Sequence, residues 1–381
     1  MARLRVYIFL STLIVVGVLG TFVSFYARGY RFNLTSLKFQ PNGILVIKSE
    51  PDGASVYVNG DLKTATNATI SLHPGTYDVE VKKDGFSPWY KRLVIEKEIV
   101  TQTTISLFKV APSLSPVTSS GAQNPVLSED GGKIGYIDKK GFWIIDVVNL
   151  PLGFDRDPRQ ITDGDLTDSS YQFSPDGSEI LLTTSQGLFL LQTNSFVSQS
   201  QRTNIASKKD GVLTEWEIIR KTKQAAILRN LPPQLTEVFL RKTSRLVFSL
   251  DELMILYTAS SSGVLEKDLV RPLPGASTQK EERNITDGHT YAYDIKEDKN
   301  FLISSGEDVN LHWFPNSHLL MSAEEGNIIA MDYDGTNSQI VYSGAYIVPF
   351  AYPFSNASKI LILTNLGSNS STSNLYSLTI K

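Results

Sequence analysis

A run of uncharged, mostly apolar residues constrains this chain more than any other feature: Val6 to Tyr26 reads VYIFLSTLIVVGVLGTFVSFY, with no charge and no proline. About 20 such residues suffice to cross a bilayer as a helix. The run is apolar on every face, unlike a surface helix, which keeps one polar side. Tyr7 and the pair Phe25 and Tyr26 stand at its ends, where aromatic rings suit the membrane interface. The stretch exceeds the roughly 7–15 apolar residues of a cleaved signal, and a cut after Ala27 would put Phe25 where a small residue is needed. Residues 1–27 are therefore expected to form a short tail and a retained transmembrane anchor. Arg3 and Arg5 precede the helix and Arg28, Arg31 and Lys38 follow it, so the charge bias hardly chooses an orientation.

The remaining sequence has enough apolar material to fold. Of 381 residues, 41% are hydrophobic and 20% charged, which argues against a disordered chain. A net charge of -3 gives no basic excess, so nucleic acid is not an expected partner. There is no cysteine, which removes disulfides, thiolate metal sites and cysteine nucleophiles.

After a linker expected over 28–42, the pattern becomes one of short strands. Ile44, Val46 and Ile47 open a strand, and Pro51-Asp52-Gly53 makes a turn before a second strand from Ala54 to Val58. Asn59-Gly60 is the hairpin dipeptide that accepts two positive φ angles. Thr69 to Leu72 form a strand that ends at His73-Pro74-Gly75. Tyr77, Val79 and Val81 then alternate with Asp78, Glu80 and Lys82, which predicts one buried and one wet face. Asp84-Gly85 turns the chain, and Leu93 to Ile95 and Thr103 to Leu107 complete a small antiparallel sandwich over 43–108.

Four spaced motifs in this stretch resemble the PEGA domain family: Pro51-Asp52-Gly53-Ala54, Val56-Tyr57-Val58-Asn59-Gly60, Pro74-Gly75-Thr76-Tyr77 and Lys83-Asp84-Gly85-Phe86. Asp52 replaces the glutamate of the family name at a solvated turn, and Thr66-Asn67-Ala68 stands where the family has Thr-Pro. The resemblance implies a bacterial or archaeal surface module without catalytic residues. Pro51, Gly53, Ala54, Asn59, Gly60, Pro74, Gly75 and Gly85 then read as turn chemistry. It also motivates the expected topology: N-terminus cytoplasmic, both β domains outside a single-pass cell membrane anchor. The sequons at Asn33 and Asn67 carry little weight in such a source.

A Pro-, Ser- and Gly-rich linker is expected over 109–123, and a recurring unit fills 124–381. Its clearest copy is Tyr171 to Leu182, which contains Phe173-Ser174-Pro175-Asp176-Gly177. Others begin at Val126, Tyr293, His312 and Tyr352, and Val238 to Ser249 forms a degenerate one. Proline presets φ in such a turn, aspartate bonds back to the chain, and glycine accepts positive φ. A hairpin with one apolar face cannot bury itself, but several stacked radially can. Phe173 to Gly177 and Gly326 to Asn337, with the Asp334-Gly335 turn, resemble TolB-like and WD-repeat-like propellers, as do Ile161-Thr162-Asp163-Gly164 and Ile285-Thr286-Asp287-Gly288. The expected fold is therefore all-β: an anchor, a PEGA-like sandwich and a β-propeller of about five to seven blades. The repeats blur between Phe173 and Ile295, and Ile295 to Phe314 is too short for a whole blade.

Tests for chemistry return little. His73, His289, His312 and His318 are scattered, whereas zinc needs at least three convergent ligands. Asp163, Asp165 and Asp168 alternate as calcium ligands do, without the terminal glutamate of an EF-hand. Asp332 and Asp334 read as turn residues. No nucleophile elbow, phosphate loop, dinucleotide fingerprint or zincin motif occurs. No catalytic, cofactor or metal residue is expected. The expected role is a non-enzymatic envelope protein that binds a surface protein, peptide or glycan. The alternatives are a propeller hydrolase or lyase on envelope glycans, and a TolB-like factor of envelope transport or integrity.

Overall fold

The computed structural model describes residues 2–27, 30–33, 38–147, 157–267, 269, 277–306, 310–315, 318–354, 357–366 and 372–381. Arg28, the residues Leu34 and Thr35 of the sequon at Asn33, and the turn residues Asn316, Ser317, Ser355 and Asn356 of the copies that begin at His312 and Tyr352 lie outside the described residues. The chain divides into two compact units: Met1–Leu107 with Pro272–Thr278, and Phe108–Arg271 with Gln279–Lys381.

Helix α1 (Ala2–Ala27) carries the apolar run. Val6–Ala27 is 22 residues long, and none of it is buried against the rest of the chain. At 1.5 Å per residue this spans about 33 Å, close to the hydrocarbon thickness of a bilayer. Ser11 and Thr12 donate to the Ile8 carbonyl at 2.9 and 2.8 Å, and Thr21 donates to the Gly17 carbonyl at 2.8 Å. These three hydroxyls are thus satisfied inside the helix, as an apolar surrounding demands. The stretch expected as a linker is not bare: β1 (Tyr30–Asn33) and β2 (Lys38–Pro41) pair antiparallel, with Phe32 opposite Phe39.

The sandwich consists of β3 (Gly43–Glu50), β4 (Ser55–Val58), β5 (Asp61–Ala65), β6 (Ala68–Leu72), β7 (Gly75–Lys82), β8 (Trp89–Ile95) and β9 (Val100–Ser106). One sheet runs β6-β3-β9 and the other β5-β4-β7-β8. The sandwich is antiparallel as expected, with one departure: β3 and β9 pair in parallel. The physical reason is that first and last strands meet side by side, where no hairpin links them. Leu45, Ile47, Val56, Val58, Val79, Val81 and Trp89 fill the space between the sheets. Gly43 is required by closeness: a Cβ there would stand 2.3 Å from the Glu96 carbonyl oxygen. Ser277 and Thr278 also belong to this unit, and the Thr278 hydroxyl donates to the Arg92 carbonyl at 2.6 Å. Nothing in the local sequence signals that visit.

The second unit is the propeller. It opens with β10 (Ser113–Pro116), inside the stretch expected as a linker. Blade 1 follows as β11 (Gln123–Leu127), β12 (Lys133–Asp138), β13 (Gly141–Asp146) and β14 (Arg159–Asp163). Blade 2 holds β15 (Ser170–Phe173), β16 (Glu179–Thr184) and β17 (Gly187–Gln192). Two helices come next, α2 (Lys209–Leu228) and α3 (Pro233–Arg241), which strand periodicity did not anticipate. Blade 3 contains β18 (Thr243–Phe248) and β19 (Met254–Ala259), a small excursion with β20 (Gly263–Val264) and β21 (Asn284–Ile285), then β22 (Thr290–Asp294) and β23 (Lys299–Ser304). Blade 4 is β24 (Leu311–Trp313), β25 (Leu319–Glu324), β26 (Asn327–Asp332) and β27 (Gln339–Ser343). Blade 5 comprises β28 (Ala351–Phe354), β29 (Lys359–Thr364) and β30 (Asn374–Thr379), and β10 supplies its outer strand. Among the described residues there are thus five blades, the low end of the expected range.

Apolar clusters show how the blades form a ring. Ile137, Phe142 and Ile144 of blade 1 pack on Phe173, Ile180 and Leu182 of blade 2. Met254 and Leu256 of blade 3 pack on Leu311 and Leu320 of blade 4. Met321 and Ile328 of blade 4 pack on Ile360 and Ile362 of blade 5. Ile134 and Ile145 of blade 1 meet Tyr352 and Leu361 of blade 5, which closes the circle. The one gap, between blades 2 and 3, is filled by helix: Trp216 packs on Leu181 and Leu188 of blade 2, and Leu235 and Phe239 pack on Tyr257 and Tyr293 of blade 3. This helical sector is why the repeats blur after Phe173.

Candidate functional site along the inner strands

The repeated turn is a side-chain clasp between the first two strands of a blade. In blade 2, Ser174 Oγ donates to Asp176 Oδ1 at 2.6 Å and accepts the Glu179 N–H at 3.0 Å, while Ser178 N–H reaches Asp176 at 3.1 Å. Gly177 takes φ +66, and its N–H bonds to the Ser174 carbonyl at 2.9 Å. Blade 1 repeats this with Ser128, Asp130 and Lys133, at 2.5 and 2.9 Å. Blade 3 repeats it with Ser249, Asp251 and Met254, at 2.6 and 3.0 Å, and Glu252 takes the glycine's place at φ +59. The third copy therefore runs from Leu246 to Leu256; the degenerate copy expected over Val238 to Ser249 overlaps its first strand but begins too early, because Val238 to Arg241 belong to α3. The copy expected at Tyr293 is the later hairpin of the same blade, between β22 and β23, which corrects that assignment and explains the short interval to Phe314. Pro175 sits between the clasp residues, and Gly335 closes a related turn at φ +77, where Asp334 accepts the Thr336 hydroxyl at 2.6 Å.

The turn residues of the sandwich are also tied to the fold. Asn59 and Gly60 take φ +52 and +86, and Val58 faces Asp61 across the two-residue turn. Asn59 Oδ1 also accepts the Asp78 N–H at 2.9 Å, which fastens the hairpin to β7. Gly53 takes φ +68, and Ala54 is fully buried with its N–H on Thr66 Oγ1 at 2.9 Å. Thr66 further bonds to Ser49 Oγ at 2.6 Å, so the threonine of the divergent Thr66-Asn67 step holds the Pro51 to Ala54 turn in place. Gly85 takes φ +80, and Lys83 reaches back to the Asp52 carbonyl at 2.7 Å. Pro74 leads into Gly75, the first residue of β7, and is exposed.

Several polar side chains on the first strands of the blades bond across to the neighbouring blade. Tyr352 of β28 donates to the Pro125 carbonyl at 2.8 Å. Tyr171 of β15 donates to the carbonyls of Asn124 and Gly135 at 2.7 and 2.6 Å. Arg245 of β18 donates to the Leu311 carbonyl at 2.8 Å, and Trp313 of β24 returns a bond to the Val247 carbonyl at 3.2 Å. Each bond crosses from one blade to its neighbour. Burial raises the Tyr352 and Tyr171 hydroxyls above the ordinary tyrosine range, so both remain donors. His312 of β24 packs edge-on to the Tyr352 ring at 5.4 Å. Burial first, and the Arg245 charge second, push its imidazole down to about 4, so it is neutral at physiological pH.

The other singled-out groups do not converge. His318 stands 3.7 Å from Asp251, His289 stacks on Tyr291, and His73 is exposed in its turn. Asp163 accepts the Gln199 N–H at 2.5 Å, while Asp165 caps Thr167 and is held below the usual carboxylate range chiefly by the threonine hydroxyl. Asp332 accepts Asn337 Nδ2 at 2.9 Å. Among the described residues no group of three or more His, Asp or Glu side chains could hold a metal. One acid stands out that periodicity could not single out. Asp294 ends β22 with 4% exposure, and its Oδ1 accepts the N–H groups of Lys296 and Glu297 at 2.8 and 2.9 Å. Burial first, then the neighbouring Glu297 charge, push its carboxyl up to about 7.

Residues 42–110 match the PEGA domain family model. No curated protein matches the chain. Among solved structures, a TolB described as putative from Agrobacterium tumefaciens is 14% identical, with 66% of this chain and 76% of that one covered, at a TM-score of 0.23. TolB from Acinetobacter baumannii is 11% identical, covering 80% of this chain and 60% of that one, at a TM-score of 0.25. An oligogalacturonate lyase from Vibrio parahaemolyticus is 8% identical, covering 89% and 98%, at a TM-score of 0.25. Likeness at this level assigns no activity to this chain.

Proposed function

We propose that this chain is a single-pass, membrane-anchored cell-envelope protein whose propeller binds an envelope or surface protein, peptide or glycan and carries out no catalysis. The observation that carries the reading is α1, which is apolar for 22 residues and not buried by its own chain. A surface of that size is stable only in an apolar surrounding. The inner-strand donors Tyr171, Arg245, Trp313 and Tyr352 join blades rather than frame a reacting atom, so their role is to hold the ring. The expected topology keeps the N-terminus in the cytoplasm and the globular units outside.

Protease added to intact spheroplasts tests this. The expected result is digestion of both β domains without lysis, leaving a membrane-embedded N-terminal fragment. Protection until lysis would place the domains inside and overturn the display. A second reading, a hydrolase or lyase on envelope glycans, draws on Asp294, whose raised carboxyl beside Glu297 has the ingredients of an acid and base pair. Its closed turn geometry argues against that role. Release of new reducing ends from envelope glycans, lost in Asp294→Asn, would favour the enzyme.

A further inference from the structure

The helical sector is held unequally at its two ends. Leu228, at the end of α2, and Leu231, Leu235 and Phe239 are buried against blade 3, with the Phe239 ring edge-on to Tyr257 at 5.2 Å. From Lys209 to Ala226, α2 buries one side chain, Trp216, against Leu181 and Leu188, with Val212, Leu213 and Ile219 half-buried beside it. The seam's other ties are polar and near the surface. Arg220 holds Glu129 of the blade 1 turn at 2.6 and 3.0 Å, and the Trp216 indole reaches Glu179 at 3.4 Å. Ile218 is 60% exposed on the same stretch. The helix begins at Lys209, and Lys208 before it provides no side-chain cap. Pro232 and Pro233 break the chain after α2. Local opening is cheapest where few apolar side chains are buried, and a helix of this length is marginal on its own in water.

We propose that α2 is a latch over a helix-docking surface: its first five turns, residues 209–226, undock from blade 2, pivoting at Ile227 and Leu228, and a partner's amphipathic helix takes their place. Undocking uncovers Leu181, Leu188 and Leu190, flanked by the carboxylates of Glu129 and Glu179. The matching partner helix carries an aromatic residue and, one turn later, a basic one, as Trp216 and Arg220 do in α2. This goes beyond the proposed binding role and does not depend on which side of the membrane the propeller faces.

Hydrogen exchange on the full chain in detergent, with a synthetic peptide copying residues 209–228 as the probe, tests the latch. Amides of 209–226 are expected to exchange at least ~100-fold faster than those of β16 and β19. Trp216→Ala and Arg220→Gln should each speed α2 exchange further while leaving β19 unchanged, and should increase binding of the peptide over the wild type. Arg220→Gln removes only the surface tie, so it reads the latch even where Trp216→Ala fails to fold. Equal protection of α2 and β16 in the wild type would overturn the proposal, and so would an Arg220→Gln protein that binds no peptide.

Discussion

Replacing Asp294 by asparagine isolates one buried charge. The carboxyl is 4% exposed and shifted from 3.8 up to about 7, mainly by burial. A carboxyl raised in the fold stabilises it fully below the unfolded pKa, and that contribution is lost as pH rises through the folded one. Three units at 1.36 kcal/mol each set a ceiling of about 4 kcal/mol lost between pH 4 and 8. Asparagine keeps the Oδ1 acceptor for the Lys296 and Glu297 N–H groups and carries no charge. Asp294→Asn should therefore remove this pH dependence and be more stable than the wild type at pH 8. Urea unfolding of the full chain in detergent, followed by tryptophan fluorescence, measures it, with Trp143, Trp216 and Trp313 reporting the propeller and Trp89 the sandwich. The decisive quantity is the difference between the two proteins, because other titrating groups cancel. His312, lowered to about 4, acts in the opposite sense by weakening the fold as pH falls from about 6.5. Identical pH slopes, or an asparagine variant weaker at pH 8, would refute the reasoning.

Two further substitutions probe the ring. Gly141→Ala puts a Cβ 2.0 Å from the Thr162 carbonyl oxygen at φ +148, so β13 and β14 must part; the expected loss is about 3 kcal/mol or more by urea unfolding. Tyr352→Phe leaves the buried Pro125 carbonyl without its donor between blades 5 and 1, and should cost about 1–3 kcal/mol with the sandwich transition unchanged.

What the sequence could show followed from local physics. The apolar run of α1, the Asn59-Gly60 hairpin and the Ser-x-Asp turns are each decided by a few neighbouring residues, so their chemistry is visible in one dimension. The propeller was most legible where such turns keep serine, aspartate and glycine, and the apolar flanks alone marked the copies at His312 and Tyr352. Blade 3 has Glu252 at the glycine position, so its unit shows in the sequence only as the degenerate copy that ends at Ser249, and the hairpin at Tyr293 reads as a separate copy. The sequence alone therefore determined an apolar anchor, a small β-sandwich and a repeated hairpin unit. Tertiary structure decided the rest: that β3 and β9 run parallel, that β10 closes blade 5, and that α2 and α3 fill the gap between blades 2 and 3. These pairings join residues far apart in the chain, and only the burial of one element against a distant one selects them. Asp294 belongs with them, because its shifted carboxyl depends on what covers it.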